Sequence, residues 1–412
     1  MLKPVVFVLT LLGLQPAGST DPGWPQWRGP NRDGAAVGFT APPEWPAALT
    51  RRWSTPVGLG HASPIVSEGR VFVHGRRGAR EVVAAFDAAT GREIWRDAYD
   101  APYRVNPAAA SHGPGPKSTP AVAATRLVTL GISGILSCYD AVTGMLRWRT
   151  QPFAETPIYG TAMSPLIDGH VVVVHAGGHD RGAIMAFDLE TGAVRWRLTG
   201  GAPAYASPVA ATLGGVRQII TQSRTHLVGL AAAGGRLLWQ VPFTTDYDQN
   251  AVTPVVWRDV VIYSGLAKGT HAVRPVQRGG RWTVEEVWSN RDVSMYMSAP
   301  VVSGDTMYGL SHRNRGQFVA LDPRSGKLLW STRGREGDNA ALVTTTGAIL
   351  ALTTNAELVV FKPSSTGFEE LRRYDVAESA TWAHPALANR QIFVKDEEAL
   401  TAWSPAPAQP VR

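Results

Sequence analysis

The sequence predicts an all-β protein, an eight-bladed β-propeller of four-stranded antiparallel blades, and three observations carry that prediction. An eleven-residue phrase recurs at Ala85 to Trp95 (AFDAATGREIW), Cys138 to Trp148 (CYDAVTGMLRW), Ala186 to Trp196 (AFDLETGAVRW) and Ala320 to Trp330 (ALDPRSGKLLW). Aromatic residues at its final position (Trp53, Trp95, Trp148, Trp196, Trp239, Trp288, Trp330, Tyr374) return every 42 to 53 residues, close to the length of a four-stranded blade. The last stretch, Trp382 to Trp403, stops before its phrase, and the missing end stands near the other terminus as Arg52-Trp53-Ser54. Pairing the two closes the ring and removes an exposed sheet edge.

Each position of the phrase has a physical task. Apolar residues end one strand, and Asp87, Asp140, Asp188 and Asp322 cap a tight turn by accepting backbone N–H groups. Gly91, Gly144, Gly192 and Gly326 take the positive φ that a residue with a Cβ resists. Trp95, Trp148, Trp196 and Trp330 end the next strand with a large flat surface to wedge between sheets. The phrase is degenerate in three units: Gly229 to Trp239 has Ala231 for the Asp, the fifth has a longer Arg278-Gly279-Gly280 turn, and the seventh keeps Thr366-Gly367.

In chain order, residues 1–20 read as a secretory signal, with Lys3 as the positive start, Val5 to Leu14 as the apolar run and Ala17-Gly18-Ser19 as a small-residue cleavage site. That run is too short to span a bilayer, and no Cys follows for lipid attachment, so the expectation is a soluble periplasmic or secreted protein that is not a lipoprotein. Residues 21–48, opening with Trp24-Pro25-Gln26-Trp27-Arg28-Gly29-Pro30, have no strand or helix period and read as an extended arm pinned by Trp24 and Trp27. The propeller spans 49–406, and 407–412 form a tail. Each unit holds four short antiparallel strands, a to d, and strand a begins at a dipeptide such as Ser63-Pro64, Thr119-Pro120, Ser164-Pro165, Ser207-Pro208, Thr253-Pro254, Ala299-Pro300 or His384-Pro385, since proline is tolerated at a strand's first residue.

Composition narrows the function classes. Gly 42 and Pro 30 beside 44% hydrophobic residues describe a turn-rich globular chain. The lone Cys138 takes the place of Ala in the phrase and reads as a core residue, which leaves no intrachain disulfide or cysteine metal site. The net charge of +7, with export, points away from nucleic acid and toward an anionic small molecule, an envelope polymer or a protein partner.

The phrase Ala-x-Asp-x-x-Thr/Ser-Gly-x-x-x-Trp resembles the repeat of the pyrroloquinoline-quinone (PQQ) propellers over roughly residues 50 to 405, and the Trp-Pro-Gln-Trp-Arg-Gly-Pro opening is similar to the arm of exported PQQ-repeat proteins. That family includes quinoprotein alcohol dehydrogenases and the non-catalytic outer-membrane assembly protein BamB. The resemblance implies the fold, and fold alone does not carry function. Two functions follow from it. One is an exported non-catalytic propeller that binds a protein partner or anionic ligand, as a BamB-like scaffold. The other is a PQQ- and Ca²⁺-dependent alcohol or sugar oxidoreductase of reduced size, with Asp246 or Asp248 as base. The dehydrogenases carry an adjacent cysteine pair beside the cofactor, whereas this chain has one cysteine, and their calcium ligands match no position in it.

Candidate binding residues collect on one face. His170 lies in an a–b turn; the other nine histidines fall in d–a connections (His61, His112, His384) or in and beside b–c loops (His74, His175, His179, His226, His271, His312). Arg77, Arg181, Arg224, Arg313 and Lys395 join them from b–c loops and Lys117 from a d–a connection, which predicts a positive funnel mouth. Tyr159, Tyr205, Tyr247 and Tyr296 precede strand a in their blades and are placed as an aromatic collar. Asp246, Asp248 and Asn250 are the oxygen-rich candidates for calcium. The long connection from Arg96 to Ser118 is the candidate lid.

Overall fold

The computed structural model describes residues 23–178 and 181–406; the expected signal segment, His179, Asp180 and the tail at 407–412 lie outside the described residues. Eight sheets form the ring. Blade one runs Ile65–Ser67, Arg70–Arg77, Arg80–Asp87 and Glu93–Asp100 from inside to outside, and the next six blades repeat that order. Blade eight closes the circle as expected: Ala386–Ala388, Gln391–Lys395 and Ala399–Ser404 are completed by Thr50–Pro56, with Trp53 opposite Ala402. Strands b and c are buried almost throughout because each blade is sandwiched between two others, whereas strand d, at the rim, alternates exposed and covered positions.

The repeated phrase makes the joints between blades. Asp87 Oδ1 accepts from the N–H groups of Ala89 and Thr90 and from the Thr90 hydroxyl, which fixes the c–d turn. The tryptophan of the preceding blade then docks on that turn. Trp53 Nε1 donates to Ala88 O, Trp95 to Ala141 O, Trp148 to Leu189 O and Trp196 to Ala232 O, all at 2.9–3.1 Å. Its ring lies over the turn glycine so closely that a Cβ on Gly91 would sit 2.6 Å from Trp53. The glycine therefore meets two demands, a φ of +73° and room for the neighbour's indole.

A second belt runs near the axis and explains the Ser/Thr-Pro dipeptides. In five of the seven blades that have the proline, the residue before it donates its N–H to the corresponding hydroxyl of the next blade: His384 to Ser63, Ser63 to Thr119, Thr119 to Ser164, Ser164 to Ser207, and Ser207 to Thr253, at 2.8–3.4 Å. Strand a is short, and the belt supplies these inner backbone groups with partners.

The arm differs from the extended, periodless segment expected. It fills the axial channel. Trp24 exchanges two 2.8 Å backbone bonds with Val66 in blade one, and Pro25 O accepts from Val122 N in blade two. Arg32 donates to Ser164 O and Pro165 O in blade three, Trp27 Nε1 to Thr253 Oγ1 in blade five, and Arg28 to Pro300 O in blade six. The chain then leaves as a strand, Ala35–Thr40, parallel to the inner strand Ala340–Thr346 of blade seven. Backbone pairing and two buried side chains, Ala36 and Phe39, hold this strand, and because those two stand three residues apart no period-two alternation announces it.

Candidate functional site

The d–a connections converge above the arm on a funnel of about 190 Å³, floored by Trp27 and walled by His61, His112, Lys117, Tyr159, Tyr205, Gln249, Tyr296, Asn339, Trp382 and His384. Its geometry follows from the repeat. The third residue before the strand a proline is His61, Lys117, Ala162, Tyr205, Ala251, Met297 and Trp382 in the seven blades that have one, and every one of them lines the funnel. Strand a is innermost, so only the residues that lead into it reach the axis.

Aromatic faces dominate the wall. Tyr159 and Tyr205 meet edge to face with ring centres 5.6 Å apart, and the Tyr205 hydroxyl accepts from Tyr159 N. His112 stands edge-on to Trp382 at 4.8 Å, with His61 5.8 Å from His112. On the floor the Trp27 ring lies 4.1 Å from His384. The Arg96 to Ser118 connection, expected as a lid, forms part of this wall: a 3-10 turn at Pro107–His112, capped by Asn106, sets His112, and Lys117 follows.

The electrostatics are one-signed. Burial, followed by the positive charge of Lys395, His112 and Lys117, pushes His61 down to about 3; burial and then Arg28 push His384 down to about 3. These imidazoles are neutral at neutral pH. The charge in the wall is the Lys117 ammonium, which donates to Tyr159 O at 2.6 Å and which burial lowers to about 8. More cations are buried close by. Arg28 and Arg32 are fully buried among backbone carbonyls, and Lys395 caps the carbonyls of Gly60, Asp396 and Glu397. No Asp or Glu lines the funnel among the described residues.

Of the expected binding residues, the funnel brings together His61, His112, Lys117 and His384, with Tyr159, Tyr205 and Tyr296 of the expected collar. Most of the others are placed elsewhere, because b–c loops lie farther from the axis than d–a connections. Strand b also runs farther than expected in blades one and three, which draws His74 and His175 into the interior. His74 lies 3.2 Å from the Tyr99 hydroxyl and 3.4 Å from Glu81, and His175 Nε2 lies 2.9 Å from Gly201 O. Lys395 is wholly buried rather than exposed at the mouth. His226 bonds Thr225, His271 meets Lys268 O and Ser289, and His312 meets Ser294 O. Arg77 donates to Pro56 O, Arg313 to Arg291 O, Arg224 pairs with Asp248, and exposed Arg181 lines a separate pocket and not the funnel. Gln249 and Asn339 carry no signal in the sequence, whereas Trp27 is expected there only as an anchor of the arm and Trp382 only as the start of the last blade. For Trp382 the signal was there, in its spacing to Pro385.

The cofactor implied by the dehydrogenase branch does not fit these donors. Asp246 pairs with Lys268 and Asp248 with Arg224, each at 3.3 Å. Asn250 turns its amide nitrogen to the carbonyls of Ser223, Arg224 and Phe243. The expected calcium group is thus not assembled, and no cluster of three or more metal-binding side chains occurs among the described residues. Inside the funnel, the oxygens of Asn339 and Gln249 are already bonded to Met297 N and the Tyr296 hydroxyl. A divalent cation there would meet an ammonium and no carboxylate.

The ring, its Asp-turn and Trp joints and its axial funnel define a PQQ-repeat, BamB-like propeller. The chain matches the family described as outer membrane protein assembly factor BamB over residues 79–332 and 310–409, and it belongs to that family. It is 25% identical over 346 residues to a BamB of Shewanella oneidensis, covering 82% of this chain and 72% of the relative. Among solved structures it is similar to BamB of Moraxella catarrhalis (TM-score 0.61, 18% identity, 87% of this chain and 98% of that one). It is also similar in fold to a quinohemoprotein alcohol dehydrogenase of Comamonas testosteroni (TM-score 0.68, 14% identity, 96% and 82%). No helix among the described residues is long and apolar enough to cross a membrane.

Proposed function

We propose that this protein is an exported binding propeller that docks a protein of the outer-membrane assembly machinery on the rim of its funnel face, in keeping with the names of its relatives. The observation that carries this reading is Tyr247. Its side chain is 76% exposed, two residues from the funnel-lining Gln249. Tyr247 and Asp248 both hold left-handed backbone, at φ 59° and 56°, at a cost of about 1–2 kcal/mol each. The Asp246–Lys268 and Asp248–Arg224 pairs flank the turn. An aromatic side chain held out by such a turn has the chemistry of an interface anchor. The same ion pairs occupy the two carboxylates considered as catalytic bases, which favours binding over turnover.

Biolayer interferometry against the purified outer-membrane assembly complex of the same host tests the reading. Replacing Tyr247 by Ala is expected to weaken binding at least tenfold, about 1.4 kcal/mol. Equal affinity of the variant and the unaltered protein contradicts it.

A further inference from the structure

We propose that the arm-floored funnel is a metal-independent binding site for an acidic sugar, a single uronic acid ring or the uronate end of a glycan. This goes beyond the docking role, because Tyr247 is not among the residues that line the funnel.

Three features select the ligand. First, the wall is built of flat aromatic faces (Tyr159, Tyr205, Tyr296, Trp382, and Trp27 below), which suit the C–H faces of a saturated ring. Second, neutral hydrogen-bonding side chains stand between them, as a ring bearing several hydroxyls requires. Two are unsatisfied: His61 Nε2 and the Nδ1 of His384, an almost wholly buried residue, have no hydrogen-bond partner. Third, the Lys117 ammonium bonds only the carbonyl of Tyr159 among the described residues, the wall has no acid, and Arg28 and Lys395 add buried positive charge close by. A carboxylate entering the funnel meets attraction and no like charge. A space of about 190 Å³ accommodates one sugar ring, and its open mouth lets a longer chain leave toward solvent.

The test is titration of the full protein with D-glucuronate, D-glucose and benzoate, followed by tryptophan fluorescence, since Trp27 and Trp382 line the funnel, and repeated by calorimetry with EDTA present. A charge-assisted contact to Lys117 predicts that glucuronate binds about 10- to 100-fold more tightly than glucose, with or without EDTA. Lys117→Met is expected to abolish that preference and Lys117→Arg to retain most of it, each variant keeping the circular dichroism of the parent. Glucuronate no tighter than glucose, an unchanged preference in Lys117→Met, or a requirement for Ca²⁺ overturns the proposal. Benzoate binding more tightly than glucuronate overturns it as well, because the site would then select flat aromatic acids.

Discussion

At the scale of residues, the joints between blades depend on pairs rather than on single side chains. The Trp148 indole both bonds Leu189 O and covers Gly192, so Trp148→Ala removes a hydrogen bond and leaves a gap between blades two and three. Its ring is only partly buried, and a loss of about 2–4 kcal/mol is expected in urea unfolding. Gly192→Ala attacks the same joint from the other side: φ is +71° and the new Cβ would lie 2.7 Å from the Trp148 ring. It should cost about 1–3 kcal/mol, and the double variant less than the two losses added, because both break one contact. Strict additivity would show that the contact is not shared. These residues were legible in the sequence, since turn capping, positive φ and flat packing surfaces are local properties of Asp, Gly and Trp. His74 and His175 were not: whether an imidazole near a strand end faces a loop or the core depends on how far the strand runs, which neighbouring strands decide.

At the scale of elements, the arm departs furthest from what its sequence announces. Trp24, Trp27, Arg28 and Arg32 each bond a different blade, so residues 23–34 act as a hub along the axis. Removal of residues 21–34 should lower Tm by about 5 °C or more in scanning calorimetry, with protease cleavage appearing first in the inner strands. An unchanged Tm would mean that the blade-to-blade joints suffice without the hub. The blades could be counted from the sequence because each is a local unit with its own turn. The hub could not, because its partners are spread across the whole chain and its bonds run largely to backbone carbonyls, which leave no side-chain pattern. The funnel lies between these cases: its lining is periodic with respect to the strand a prolines, but that period becomes informative only once strand a is known to be innermost.

At the scale of the whole molecule, stability should fall on acidification. Burial depresses His175 to about 4, and His61 and His384 to about 3, below the ordinary 6.5. Each therefore prefers to be neutral in the fold; its contribution is fully present above pH 6.5 and is lost as pH falls from there toward 3. Glu81 acts in the same direction. Burial raises its carboxyl, but hydrogen bonds from His74, Tyr99 and Ile132 N outweigh that and hold it below 4.5, so its contribution is lost as pH drops further. Tm should decline from pH 7 to pH 4, and less steeply in His175→Gln; a flat profile would contradict the burial of neutral imidazoles. The ring also presents two unlike faces. The c–d turns join blade to blade, while the opposite face gathers the funnel and the exposed Tyr247, so a docking role turns on which face meets a partner. Photocrosslinking in the native envelope tests it most directly, with a benzophenone amino acid placed at Tyr247 or, on the other face, at exposed His170. The expected result is an adduct with an outer-membrane assembly component from position 247 and none from 170; an adduct from 170 alone would contradict docking on the funnel face.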